Sequence, residues 1–125
     1  MDSSFLFVGL GGALGAMARV GLSRILPSFL LSLPFKILCI NILGCFAIGV
    51  LTEIMAHYWS ASLNMRHFLV QGFLGGFTTF SAFALEFGLL YEKGTHWTAI
   101  TYVLLSVLLS LTFFFFGLRV IRLFS

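Results

Sequence analysis

The sequence predicts an all-α membrane protein of four transmembrane helices per chain, with a break in the third. Three observations lead there. Of the 125 residues, 60% are hydrophobic and only 9% charged, whereas a soluble domain carries roughly 25% charged residues to cover its surface. Mean hydropathy is +1.10, so hydrocarbon is the expected solvent. Four apolar stretches are long enough to cross a bilayer, which takes roughly 20 residues each. One of them is interrupted at mid-span by paired glycines and threonines.

The spans are expected at about 5–26, 35–55, 68–91 and 97–120, all in one domain covering 1–125. Proline punctuates the loop 27–34 after the first. A polar stretch with His57, Asn64, Arg66 and His67 follows the second, and Glu92, Lys93 and Gly94 turn the chain after the third. Trp59 and Trp97 fall at span ends, where an amphipathic ring suits the headgroup layer. The first apolar run opens without a cationic region and is punctuated by glycines, unlike a cleaved signal.

Charge excludes some functions and suggests an assembly. The net charge of +3 is scattered over helix ends and loops, which gives no support for nucleic-acid binding. With an even number of spans, Arg66, Arg119 and Arg122 share one side, and Arg24, Lys36 and Lys93 the other, with Arg19 a turn inside the helix. The cationic bias that normally orients a membrane protein is nearly absent. Such a chain can insert both ways, and opposite copies can pair about an axis in the membrane plane. An antiparallel, dual-topology homodimer is therefore expected. Small residues supply the means of association: Gly9, Gly12, Ala13, Ala16 and Val20 form one stripe, Gly11 and Gly15 another, and Gly72 and Gly76 a third. Packing within the chain is the alternative use of each.

Polar residues at membrane depth are costly, which makes them functional candidates. Asn41 shares a face of the second span with Cys45 and Thr52, and its amide donors suit a small hydrated anion. A structural bond between helices is the alternative. In the third span, Gly75, Gly76, Phe77, Thr78, Thr79, Phe80, Ser81, Ala82 and Phe83 weaken the helix. A break there frees backbone groups, tolerated only where protein, water or an ion satisfies them. Freed carbonyls make a cation site, while freed amides and the Thr78, Thr79 and Ser81 hydroxyls favour an anion. Phe80 and Phe83 share a face, and their positive ring edges can line an anion path, although ordinary packing also accounts for two phenylalanines among sixteen. Thr98, Tyr102, Ser106 and Ser110 recur every four residues down the fourth span, with Thr112 off that stripe.

The remaining charges have simpler readings. Arg19 is expected to snorkel toward the interface. Glu86, a turn beyond Phe83, orders water near a pore mouth or pairs with a cation, and Glu53, near a helix end, is expected to be solvated. Cys39 and Cys45 are six apart and point to different faces, implying neither a disulfide nor a metal site. The three histidines are read as interfacial polar residues. No nucleophile with a base, no carboxylate pair and no phosphate loop appears, so an enzyme is not expected.

Three blocks of sequence resemble the Fluc (CrcB) family of fluoride channels. Gly11 to Arg19 reads GGALGAMAR, similar to the family's GGxxGAxxR; Asn41 to Phe46 is similar to VNxxGSF; and Gly75 to Phe83 is similar to GGxTTFSTF, with Glu86 following in its usual place. The resemblance implies passive export of cytoplasmic fluoride across the bacterial inner membrane by an antiparallel homodimer with a pair of pathways. It implies a central structural sodium ion held by the backbone carbonyls of Gly75 and Thr78 from both subunits. Asn41 would line a pore, Phe80 and Phe83 from different subunits would present ring edges to fluoride, and Tyr102, Ser106 and Ser110 would form a polar track, with Thr112, Thr79, Arg19 and Glu86 accessory. Cys45 stands where the family usually has Ser and Ala82 where Thr is common, so neither is put forward as an ion ligand. The competing readings are a small multidrug-type proton-coupled exporter and an accessory subunit. The exporter needs a carboxylate inside the first span, which has none after Asp2.

Overall fold

A computed structural model describes residues 3–30 and 33–124. The helices are α1 (Ser3–Ile25), α2 (Phe35–His57), α3 (Leu63–Arg66), α4 (Gly75–Phe77), α5 (Phe80–Glu92) and α6 (His96–Leu123), with a π-helical segment, His67–Leu74, between α3 and α4. A minimal hairpin, β1 (Phe29–Leu30) with β2 (Leu33–Pro34), pairs antiparallel in the loop between α1 and α2. Four helical stretches are long and apolar enough to cross a membrane: α1, α2, the interrupted Leu63–Glu92 and α6. The chain is therefore a multi-pass membrane protein. The third stretch begins earlier than the hydropathy suggests because Ser62 caps it, its hydroxyl accepting from the Met65 amide at 3.1 Å.

The helices pack as two close pairs. α2 lies along α6, and α1 lies along the π-helical segment and α4. Glycine makes both approaches possible. A Cβ at Gly49 would collide with the Phe114 carbonyl and stand 3.3 Å from Gly117 Cα; a Cβ at Gly72 would stand 2.9 Å from Gly11 Cα. Gly11 thus faces Gly72, Gly12 faces Gly76, and Gly15 lies against the Phe73 main chain, all inside one chain, where close backbone contact replaces the absent hydrophobic drive. Gly9 meets nothing within 4 Å, and Ala13 and Val20 are exposed. Phe46 of α2 seals the other pair against Phe113 and Phe116, with ring centroids 6.5 and 5.7 Å away.

The turn from α5 to α6 follows from Gly94, whose φ of +82° is a left-handed conformation. The Gly94 amide donates to the Tyr91 carbonyl and the Thr95 amide to the Leu90 carbonyl, a Schellman closure that satisfies the last carbonyls of α5. At the opposite face, Ser3 reaches Asn64 at 3.4 Å, which places the start of α1 beside the start of α3.

Glu53 corrects its sequence reading. It is only 6% exposed, and its Oε1 accepts from Arg122 Nε at 3.1 Å and lies 3.3 Å from His57 Nε2. A carboxylate at a helix end looks solvated in sequence; here the close α2–α6 pairing draws it between the helices, where the Arg122 guanidinium replaces water.

Candidate functional site: a cavity behind the broken helix

Each half of the third span ends for a physical reason. Thr78 (φ −84°, ψ 157°) and Thr79 (φ −151°, ψ 124°) are extended. Thr78 turns back, its amide and hydroxyl both donating to the Leu74 carbonyl at 3.0 and 2.9 Å. Thr79 starts α5, its hydroxyl accepting from the Ala82 amide at 3.1 Å.

Asn41 holds the break open. Its Nδ2 donates to the Thr79 carbonyl at 3.1 Å, and its Oδ1 accepts from the Thr79 amide at 2.9 Å. In an unbroken α-helix that amide would donate to the carbonyl of Gly75. Asn41 therefore diverts the donor and releases the Gly75 carbonyl from its helical partner. Arg19 does similar service: rather than snorkelling, its Nε donates to the Gly76 carbonyl at 3.2 Å. The Gly76 carbonyl is thus held from α1, and the Thr79 amide and carbonyl from α2.

Between α2, the break and α6 lies a cavity of about 510 Å³. Asn41, Gly44 and Cys45 line it from α2; Gly75, Thr78, Thr79, Phe80 and Phe83 from the broken span; Ser106 and Ser110 from α6. Ile48, Val70, Leu74, Val107 and Leu111 make the remaining wall apolar. No lining side chain is charged. Ser106 is 7% exposed and Tyr102 is fully buried, and the two hydroxyls, one turn apart on α6, are each other's polar neighbour. Ser106 thus belongs to the cavity wall with its oxygen covered. The Phe80 and Phe83 rings lie 5.4 Å apart, and Phe83 lies 5.3 Å from Tyr102.

Other residues singled out from the sequence lie apart from this wall. The Ser81 hydroxyl bonds that of Thr79 at 3.2 Å. Glu86 lines a separate hollow of about 250 Å³ with Leu89, Leu90, Glu92 and Lys93. Thr112 is exposed. Cys45 follows from the face it shares with Asn41, whereas Gly44 and the π-helical Val70 and Leu74 are lining residues that carried no polar or periodic signal of their own. Gly44 has a specific reason to be small: a Cβ there would strike the Thr78 methyl.

The break's carbonyls also bear on the implied sodium. Gly75 is exposed and its carbonyl has lost its helical donor, and Thr78 is extended beside it. Neutral oxygens without a carboxylate are ligands of the kind a hard cation takes.

Comparison with known proteins agrees with this architecture. Residues 6–118 match the family model described as CrcB-like protein, Camphor Resistance (CrcB). The chain belongs to the CrcB family. It is 47% identical over 126 residues to a fluoride-specific ion channel, FluC, of Paracoccus denitrificans, covering 98% of this chain and 97% of that one. It is similar to proteins of the same description from Rhodospirillum centenum, at 45% with 94% of each chain covered, and from Rhizobium etli, at 43% with 98% of each covered. The CrcB match covers the break and Asn41 and reaches into all four membrane stretches.

Proposed function

We propose that this CrcB-family chain is a fluoride-selective channel that lets cytoplasmic fluoride leave the cell down its gradient and so lowers its toxicity. The observation that carries the reading is similarity along almost the whole chain to fluoride-specific ion channels. The cavity supplies a physical route. Fluoride is small and strongly hydrated, so it enters only where donors replace its water. Asn41 Nδ2 keeps a second hydrogen beyond the one given to Thr79, Ser110 offers a hydroxyl with Ser106 a turn before it on the same wall, and Phe80 and Phe83 offer ring edges. Several weak neutral ligands in succession let an anion bind and leave, which conduction requires.

The working unit in this reading is two copies in opposite orientations in the inner membrane. Phe80 is 80% exposed and Gly75 is exposed beside the extended Thr78 and Thr79. Irregular backbone does not face lipid, because nothing there satisfies it, and a second copy covers it. The near-even cation balance permits the opposite insertion. The Gly75 and Thr78 carbonyls of the two copies would hold a sodium ion, whose charge would favour an anion nearby. Purified chain in liposomes tests the function: fluoride efflux with potassium as counter-ion is expected, and vesicles that retain fluoride overturn it.

A further inference from the structure

Gln71 carries an amide at membrane depth that its own chain leaves unsatisfied. In the π-helical segment, Val70 and Leu74 turn to the cavity and Gly72 to α1. That leaves Gln71 on the outward side with Gly75, a turn further on, and both are exposed. The Gln71 amide has no hydrogen-bond partner among the described residues. Depth excludes the headgroups as its partner. The close approach of Gly72 to Gly11 sets this level about 12 Å inside the start of α1, at the 1.5 Å rise of each helical residue, farther than a glutamine side chain extends. Lipid tails offer neither donor nor acceptor.

We propose that Gln71 is an interchain hydrogen-bonding residue, its amide meeting the start of α5, at Ser81, in a second copy of this chain. The contact rests on the antiparallel pairing proposed above and adds a residue that holds it. Beyond the break, Phe80, Ser81, Ala84 and Leu85 are exposed as well, so the third stretch is uncovered on both sides of the break. Two copies crossing there in opposite directions bring together positions equally far before and after it. Gln71 stands about 6 Å before Gly75, and Ser81 about 6–8 Å beyond Thr78, by the rise of helical and extended residues. The polar groups also match. A glutamine amide offers two donors and a carbonyl acceptor. The exposed Ser81 hydroxyl bonds that of Thr79 at 3.2 Å and keeps capacity for a further bond. A two-fold pair repeats each contact, so each break is met by the Gln71 of the other copy.

The test uses the full chain in liposomes. In a Cys39→Ser, Cys45→Ser background, tagged chains carrying Gln71→Cys are co-expressed with untagged chains carrying Ser81→Cys and treated with a short bis-thiosulfonate. A linked product of one tagged and one untagged chain is expected on a non-reducing gel. In the native background, Gln71→Leu is expected to speed the separation of pairs about tenfold, as the loss of two symmetric interhelical bonds in lipid requires. Separation is read as loss of energy transfer between labelled copies on fusion with vesicles of unlabelled chain. Pairs that form without the mixed product, or that separate at the wild-type rate in Gln71→Leu, overturn the contact and leave the pairing standing. Labelled wild-type chains that show no energy transfer overturn the pairing itself, and the contact with it.

Discussion

Asn41→Asp separates the two roles that Asn41 plays. The carboxylate still accepts from the Thr79 amide, now at 2.9 Å from the side-chain oxygen, so that contact persists. The second contact is lost: the Nδ2 donor, 3.1 Å from the Thr79 carbonyl, becomes an oxygen facing an oxygen. Losing one neutral hydrogen bond costs about 1 kcal/mol. The larger effect is on the anion. A full negative charge about 5 Å from fluoride, at an effective dielectric constant of about 20, repels it by roughly 3 kcal/mol. That lowers fluoride occupancy about a hundredfold. Asn41→Ala is the control, because it removes both bonds without adding charge. In the liposome assay, Asp is expected to slow efflux at least about tenfold more than Ala. Equal rates for Asp and Ala would show that no anion passes close to Asn41, and wild-type efflux in both would sink its placement on the path altogether.

Other substitutions test separate parts of the molecule. Phe83→Ile removes a ring in contact with Phe80 and Tyr102; it should lower efflux while the protein elutes from size-exclusion chromatography unchanged. Gly49→Ala forces α2 away from the Phe114 carbonyl and should cost about 1–3 kcal/mol in an unfolding titration, as overpacking does. Arg122→Ala leaves Glu53 buried without its guanidinium partner and should cost about 3 kcal/mol. Glu53→Gln should cost nearer 1 kcal/mol, because it leaves behind a guanidinium on a largely exposed side chain; the reverse order would show that the pair does not hold α2 to α6. Accessible tags on the termini should be found on both sides of the membrane, and tags confined to one side would exclude the antiparallel pairing.

Hydropathy located the membrane stretches because composition alone decides whether a segment is at home in hydrocarbon. The Gly-Thr cluster located the break for a related reason: those residues weaken a helix wherever they stand. Glu53 and Arg19 were misread because their partners, Arg122 and the Gly76 carbonyl, are distant in sequence. The π-helical turn His67–Leu74 left no mark in the pattern of residues, since its hydrogen bonds shift by one residue without any change in hydropathy. Cys45 shares the Asn41 face already in the sequence, but that this face opens on a cavity depends on where α6 lies.

The amino-acid sequence by itself determined the solvent, the number of crossings, the site of the break and the near-even charge balance, each a local or summed property of side chains. Only the tertiary structure decided what the break is held by and what it opens onto. Asn41 is nearly forty residues from Thr79 by sequence separation (|i−j| = 38), yet its amide replaces the missing helical partner there. That exchange of one hydrogen-bond partner for another requires α2 to lie against the broken span, and it is what leaves a cavity rather than a continuous helix in the middle of the membrane.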